Sequence, residues 1–305
     1  MAILRDARTS RSWVLESECL IGRSTVCSIQ LEDAYVSSQH ASVRWTGDVW
    51  EVRDLGSANG TRVDGTILAA GQARPLRRGA RAGFGSAEAH WELVDDAPPA
   101  VMAVEVGGTR VACLEDEIVG VPSNEAPIAT IYRAGDGRWR LERPDGSAVE
   151  IAHGQAFEAD GHQWRFSSPH AVSPTETSDG RPPLSAAALE FRMSRDEEYV
   201  ELTVELGGRR IDMGSRAHNA LLVNLARHLV EDRAARLPES ACGWVYVDDL
   251  ADELGTSPGQ INIDIFRARR QFGTLGLLDP SEIVQRRART RQLRLGAPRV
   301  KVNAL

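Results

Sequence analysis

Asp54-Leu55-Gly56-Ser57-Ala58-Asn59-Gly60-Thr61, with Val63-Asp64-Gly65 close behind it, is the stretch that decides how the first third of this 305-residue chain folds. Its Asn-Gly and Asp-Gly pairs each place a glycine where a tight turn needs positive φ, and turns of this kind join antiparallel strands. Around it lie the short runs Trp13-Val14-Leu15, His40 to Trp45, Val49 to Arg53 and His90 to Val94. Short strands punctuated at this rhythm predict an all-β sandwich over residues 1–95.

Two further motifs precede the deciding stretch: Gly22-Arg23-Ser24 and Val36-Ser37-Ser38-Gln39-His40-Ala41. A phosphothreonine dianion needs a guanidinium for charge, hydroxyl and backbone donors for its other oxygens, and a separate group to hold the peptide. Loops at one end of a sandwich can supply all three. The glycine-arginine, serine-x-x-histidine and asparagine-glycine signatures, in this order, resemble the forkhead-associated (FHA) domain. The resemblance implies that Arg23 and Ser37 bind phosphate with Ser38 beside them, and that Asn59 bonds the backbone of the bound peptide. It also implies that His40 braces the loop, with Gly22 and Gly60 shaping the pocket. Ser38 stands where the family often has a basic or amide residue, and Ala58 removes a possible hydroxyl contact, which puts more of the binding on Arg23.

Asp95 to Pro99 reads as a short linker. Residues 100–167 then repeat the β rhythm, with Leu20 to Ser24 echoed by Ile118 to Pro122, and Ala41 to Ser57 echoed by Ala129 to Ser147. This predicts a second, smaller β-sandwich, a degenerate FHA-like module. Val121 or Pro122 replaces the arginine, and Ala148-Val149-Glu150 replaces the asparagine-glycine turn, so the module is expected to act as a spacer or protein contact.

Residues 168–188, rich in Ser, Thr and Pro, predict a flexible tether. Its Thr175 and Thr177 are candidate phosphorylation sites whose phosphorylated forms would reach the pocket in cis. Over 189–298 the pattern becomes α+β: a hairpin around Gly207-Gly208, then Leu221, Leu222, Leu225 and Leu229 at helical spacing. Leu250 and Leu254 mark a short helix ending at Gly255, and a second follows with Ser257 as N-cap, Pro258 at its first position and Gly273 at its C-terminal cap. On that second helix Ile261, Ile265, Ala268 and Phe272 form one face, with Ile263, Phe266, Arg267 and Arg270 opposite and Asn262 and Arg269 flanking. Ile283 to Arg287 and Arg291 to Leu295 predict a basic hairpin with Arg289 at its tip.

Strands, helix-turn-helix and basic hairpin together resemble the winged-helix effector domain of OmpR-type response regulators. The resemblance implies double-stranded DNA as a partner, contacted by Asn262, Ile263, Phe266, Arg267 and Arg270 of the helix and by Arg286, Arg287, Arg289 and Arg291 of the wing. Asp264 opposes such contact, and Glu231 to Cys242 is an insertion relative to the compact pattern.

The charge distribution agrees: the chain carries −7 overall, yet residues 259–301 carry +7 and the remainder −14. An acidic body with a basic end suits different partners at the two ends. No run reaches the length of a membrane span, which predicts a cytoplasmic protein with no membrane partner. Cys19, Cys27, Cys113 and Cys242 have no zinc spacing. No catalytic motif, metal site or cofactor loop stands out, so a non-enzymatic bacterial signalling protein is expected, a phosphothreonine-dependent transcriptional regulator. The alternative is a phosphodependent adaptor whose winged helix contacts protein rather than DNA.

Overall fold

A computed structural model describes residues 1–86, 90–169, 180–195, 199–287 and 290–304. They fall into two compact units: residues 1–111, 153–156 and 164–169 form the first, and residues 112–152, 157–163 and the chain from 180 onward form the second.

In the first unit, eleven strands build two sheets: β1 (Ile3–Asp6), β2 (Ser12–Val14), β3 (Glu18–Gly22), β4 (Ile29–Gln30), β5 (Ala41–Trp45), β6 (Trp50–Asp54), β7 (Thr61–Val63), β8 (Thr66–Ile67), β9 (Ala73–Leu76), β10 (Arg81–Phe84) and β11 (Trp91–Asp95). Their orders are β2-β1-β11-β10-β7-β8 and β4-β3-β5-β6-β9. Alternation places Leu4, Ile21, Val43, Trp50, Val52, Leu76 and Leu93 in one core, all fully buried. The Trp50 indole N–H is satisfied by Ala97 O at 3.1 Å, so the ring is buried without an orphan donor. Truncating such a side chain costs about 3–5 kcal/mol. Strand Met102–Glu105 adds a further antiparallel pairing, Met102 opposite Ser167 through Glu105 opposite Trp164, and Arg165 is ion-paired with Glu16.

The stretch expected as one 100–167 module thus gives strands to both units. Its four-stranded sheet, Ile118–Val121, Ala129–Arg133, Trp139–Glu142 and Ala148–Glu150 in sequential order, belongs to the second.

The rest of the second unit has a sheet ordered Arg209–Ser215, Val200–Leu206, Ala188–Met193, Arg299–Ala304, whose last strand runs parallel to Ala188–Met193. The hairpin turn is Gly207-Gly208, both at positive φ. Three α-helices occur among the described residues: α1 (Asn219–Ala234), α2 (Val247–Glu253) and α3 (Pro258–Gly273). The Ser257 hydroxyl caps α3 by accepting the Gln260 N–H at 3.2 Å. Gly255 closes the α2 end in the left-handed region at φ +59°. Val245–Tyr246, Gln292–Leu295 and Val284–Arg287 make a three-stranded sheet beside the helices.

Leu221, Leu222, Leu225 and Leu229 of α1 and Ile261, Ile265, Ala268 and Phe272 of α3 share one core with Phe191, Leu202 and Leu293. The Glu231–Cys242 segment is fastened back by the Arg233–Glu239 ion pair and by Gly243 N–H to Asp232 Oδ2 at 2.7 Å. No helix among the described residues is long and apolar enough to cross a membrane.

Candidate functional site

The loops at one end of the sandwich converge on Ser37. Arg23 N–H donates to Ser37 O and Ser24 N–H to Ser38 O, both at 3.0 Å, so the loop carrying Arg23 lies directly against the one carrying Ser37 and Ser38. This approach explains Gly22, whose added Cβ would stand 2.3 Å from Ser38 O. The Ser37 hydroxyl oxygen accepts the Ala58 N–H at 3.0 Å, which leaves its own proton to donate outward. Asn59 donates one amide hydrogen to Tyr35 O at 2.8 Å, leaving its carbonyl and second N–H for a ligand. Arg23, Ser38 and Asn59 are exposed, and among the described residues no carboxylate pairs with Arg23. The assembled mouth offers one uncommitted cation, one hydroxyl donor and one amide.

Two buried polar groups hold that mouth in place. His40 accepts the Ser37 N–H at Nδ1 (3.1 Å), so its proton sits on Nε2 and is donated to Gly60 O at 3.2 Å. Burial lowers the His40 pKa from its ordinary value, against the opposing pull of Gly60 O and Asp54. The neutral tautomer fits, because a protonated ring would lose its acceptor. Gly60, at φ +76°, passes on the brace through the Gly85 N–H bond to its carbonyl at 3.1 Å.

Sequence reasoning missed the second brace, Asp54. Its carboxylate accepts Gly56 N–H (2.8 Å), Ser57 N–H (3.1 Å), Ser57 O–H (2.6 Å) and Thr61 O–H (2.7 Å). Burial alone would raise its pKa, but these four bonds outweigh it and hold the carboxyl below its ordinary value. The signal was visible as an acid at a strand end followed by Gly, Ser and Thr.

This first unit therefore carries an FHA domain. The FHA family model matches residues 19–85. The chain is 42% identical over 55 residues to FHA domain-containing protein FhaB of Mycobacterium tuberculosis, which is 18% of this chain and 36% of that protein. It is 47% identical over 45 residues to FhaB of Mycolicibacterium smegmatis, 15% of this chain and 29% of that one. The match thus spans about a third of those relatives' own length. Among solved structures, Mycobacterium tuberculosis EmbR in complex with a low-affinity phosphopeptide is 28% identical over 30% of this chain and 24% of that one, with a TM-score of 0.28.

The residues singled out on α3 and the hairpin sit differently from expectation. Phe266, expected on an exposed face, is 2% exposed and clusters with Ile118 and Tyr132. Arg269, expected to flank that face, is 4% exposed. Both are corrected by one cause: the four-stranded sheet of residues 118–150 lies over this side of α3, an approach that the helix's own periodicity cannot reveal.

Arg269 donates to Glu142 Oε2 (3.0 Å), Ser281 O (2.8 Å) and Val284 O (2.9 Å). Burial works against its charge, but Glu142 prevails and its pKa is raised. Arg286 is half-buried with its Nε shielded from solvent, 2.9 Å from Glu142 Oε1 at an angle too bent for a hydrogen bond. Burial lowers its pKa. Tyr132 O–H donates to Glu142 at 3.3 Å, and burial pushes that phenol up to about 12.

Asn262 donates to Pro144 O at 3.1 Å and accepts from Arg286 at 2.6 Å. Arg270 contacts Glu115 at 2.5 Å and Asp116 at 2.9 Å. Ile263 is half-buried and Arg267 exposed, 3.5 Å from Asp264. On the hairpin, Arg287 stacks 4.0 Å from the Trp244 ring and Arg291 pairs with Asp248 at 3.2 Å. Arg289 lies outside the described residues, as do Thr175 and Thr177. Gly273, expected at the C-terminal cap of this helix, is instead its last residue, with Thr274 as the cap, and its requirement is proximity, since a Cβ there would stand 2.0 Å from Asp116 O.

Proposed function

We propose that this chain is a non-catalytic, cytoplasmic, phosphothreonine-dependent transcriptional regulator. Its FHA domain takes a threonine-phosphorylated protein, and its C-terminal helices and hairpin act as a winged helix on double-stranded DNA. The observation that carries the first half is the mouth itself: an exposed Arg23 with no carboxylate partner among the described residues, on a loop bonded through its backbone to Ser37, whose hydroxyl is free to donate, with Asn59 held by Tyr35 O. Charge-assisted bonds from such a set suit a phosphate dianion and select against the unmodified threonine. Titrating the full chain with matched phosphothreonine and threonine peptides tests it. Equal affinity for the two, or phosphate-dependent affinity unaltered in Arg23→Ala, sinks the assignment.

The DNA half is supported by the order α2, tight turn, α3 and basic hairpin, and by the local charge of +7 over residues 259–301. The adaptor reading has one observation in its favour: part of the α3 surface already packs against protein, at Phe266 with Ile118 and Tyr132. Salt-dependent duplex binding, lost in Arg267→Ala with Arg270→Ala, separates the two, because phosphate contacts weaken steeply with salt.

A further inference from the structure

The contacts made by α3 share a chemistry. Arg270 meets the carboxylates of Glu115 and Asp116, Arg269 meets Glu142, as does Arg286 of the adjoining hairpin, and the Asn262 amide meets the Pro144 carbonyl. A nucleic acid offers the same partners to a recognition helix: anionic oxygens for arginines and a carbonyl acceptor for an amide. The apolar part of the contact is small. Phe266, Ile118 and Tyr132 form a cluster of their own, separate from the core that joins α1, α2 and α3. Polar faces with little apolar seam are the kind that open and close.

We infer that the sheet of residues 118–150 is a reversible, DNA-mimicking cover on α3, an interaction surface whose present occupant is the chain's own helix and whose competitor is duplex DNA. This rests on the reading of α3 as a DNA-contacting helix. In the closed form Asn262, Phe266 and Arg286 are engaged by the sheet and Arg270 by the turn that leads into it, while Arg267 stays exposed. DNA therefore meets only the fraction of molecules in which the cover is off, and its apparent affinity is reduced by that fraction.

Gly273 supplies a wedge that touches none of the proposed DNA contacts. Its Cβ would collide with the backbone oxygen of Asp116, while alanine suits the helix itself better than glycine. The experiment compares the full chain with Gly273→Ala, and separately with Glu115→Gln plus Asp116→Asn. The readouts are amide hydrogen exchange along α3 and binding of a fluorescein-labelled mixed-sequence DNA duplex at low salt, with circular dichroism checking the fold. Expected are faster exchange at residues 115–145 and 258–273 and a gain in duplex affinity of about tenfold or more, abolished by adding Arg267→Ala and Arg270→Ala. Exchange unchanged in both variants overturns the cover as an openable contact. Wild type binding duplex as tightly as the opened variants overturns the cover and leaves the DNA reading standing. Opened variants that bind no duplex overturn the DNA reading, and the mimicry with it.

Discussion

Strands β3, β5, β6 and β9 of the FHA domain pair in the same sequential order as Ile118–Val121, Ala129–Arg133, Trp139–Glu142 and Ala148–Glu150. Register makes the comparison residue by residue. Ile21 faces Ala41 as Val121 faces Ala129, and Trp45 faces Trp50 as Arg133 faces Trp139. On this frame the counterpart of Arg23 is Ser123, just beyond the Val121 or Pro122 that sequence similarity alone suggests, and the counterpart of Arg53 is Glu142. In the FHA domain residues 22–40 span the gap between the paired strands and carry Arg23, Ser37 and His40, whereas in the other sheet residues 122–128 do so. The same strand order thus supports a ligand mouth or a buried docking face, depending on the loop and on the sign of one charge.

Glu142 gives the largest expected effect. Glu142→Ala strands two buried guanidiniums, Arg269 and Arg286, and uncompensated buried charge costs about 3–5 kcal/mol. Arg53→Ala, at the matching position, removes a half-buried side chain with no ion pair among the described residues and should stay within about 0.5 kcal/mol. Urea denaturation of the full chain reads both. Equal losses would break the distinction between a docking carboxylate and a surface arginine.

Arg23→Ala comes next, with a loss of about 1.5–3 kcal/mol in phosphothreonine peptide binding, or roughly 10- to 150-fold in Kd by calorimetry. The reciprocal change is as informative. Ser123→Arg should create no phosphopeptide affinity in the sheet of residues 118–150, because 122–128 supplies no counterpart of Ser37 and Ala148 stands at the position matching Asn59. Binding gained by that single change would show that the cation alone makes the site.

His40 and Asp54 give the mouth two pH dependences of different position. The folded state lowers the His40 pKa, so its contribution to stability is present above the ordinary value of 6.5 and is lost as pH falls through the lower folded value. Asp54 is also lowered, so its contribution is lost in a more acid window, below the ordinary 3.8. Thermal melts of wild type and His40→Asn should converge as pH falls below 6.5. A constant difference across that range would mean that the ring nitrogen does not titrate with the fold.

How much of this was legible follows from where the information sits. Arg23, Ser37, His40 and Asn59 are local motifs on loops whose strands alternate cleanly, so sandwich and mouth could both be read along the chain. The caps of α2 and α3 were equally local: Ser257, Pro258 and Gly255 each act on neighbouring backbone. What could not be read was the other face of α3. Phe266 and Arg269 fall off its main apolar stripe and look solvent-facing by period, but their partners Ile118, Tyr132 and Glu142 stand more than a hundred positions away. A buried arginine gives no sign in sequence, since its carboxylate can come from anywhere. Gly273 misled for a related reason: glycine at a helix end suggests a cap, and here it answers a distant carbonyl.

A small effect on stability is also expected from Arg270 and its partners Glu115 and Asp116. All three side chains are more than a third exposed, at 38%, 46% and 37%. Exposed pairs of this kind contribute no more than about 1 kcal/mol, since water and salt compete for both charges. Glu115→Gln with Asp116→Asn should therefore barely move the urea midpoint, and less again at high salt. One carboxylate is buried and its removal threatens the unit, whereas the other two lie at the edge of the same face and can be released cheaply. If neutralising the edge pair destabilises the chain as much as Glu142→Ala, the face is a permanent part of the core rather than a docking surface.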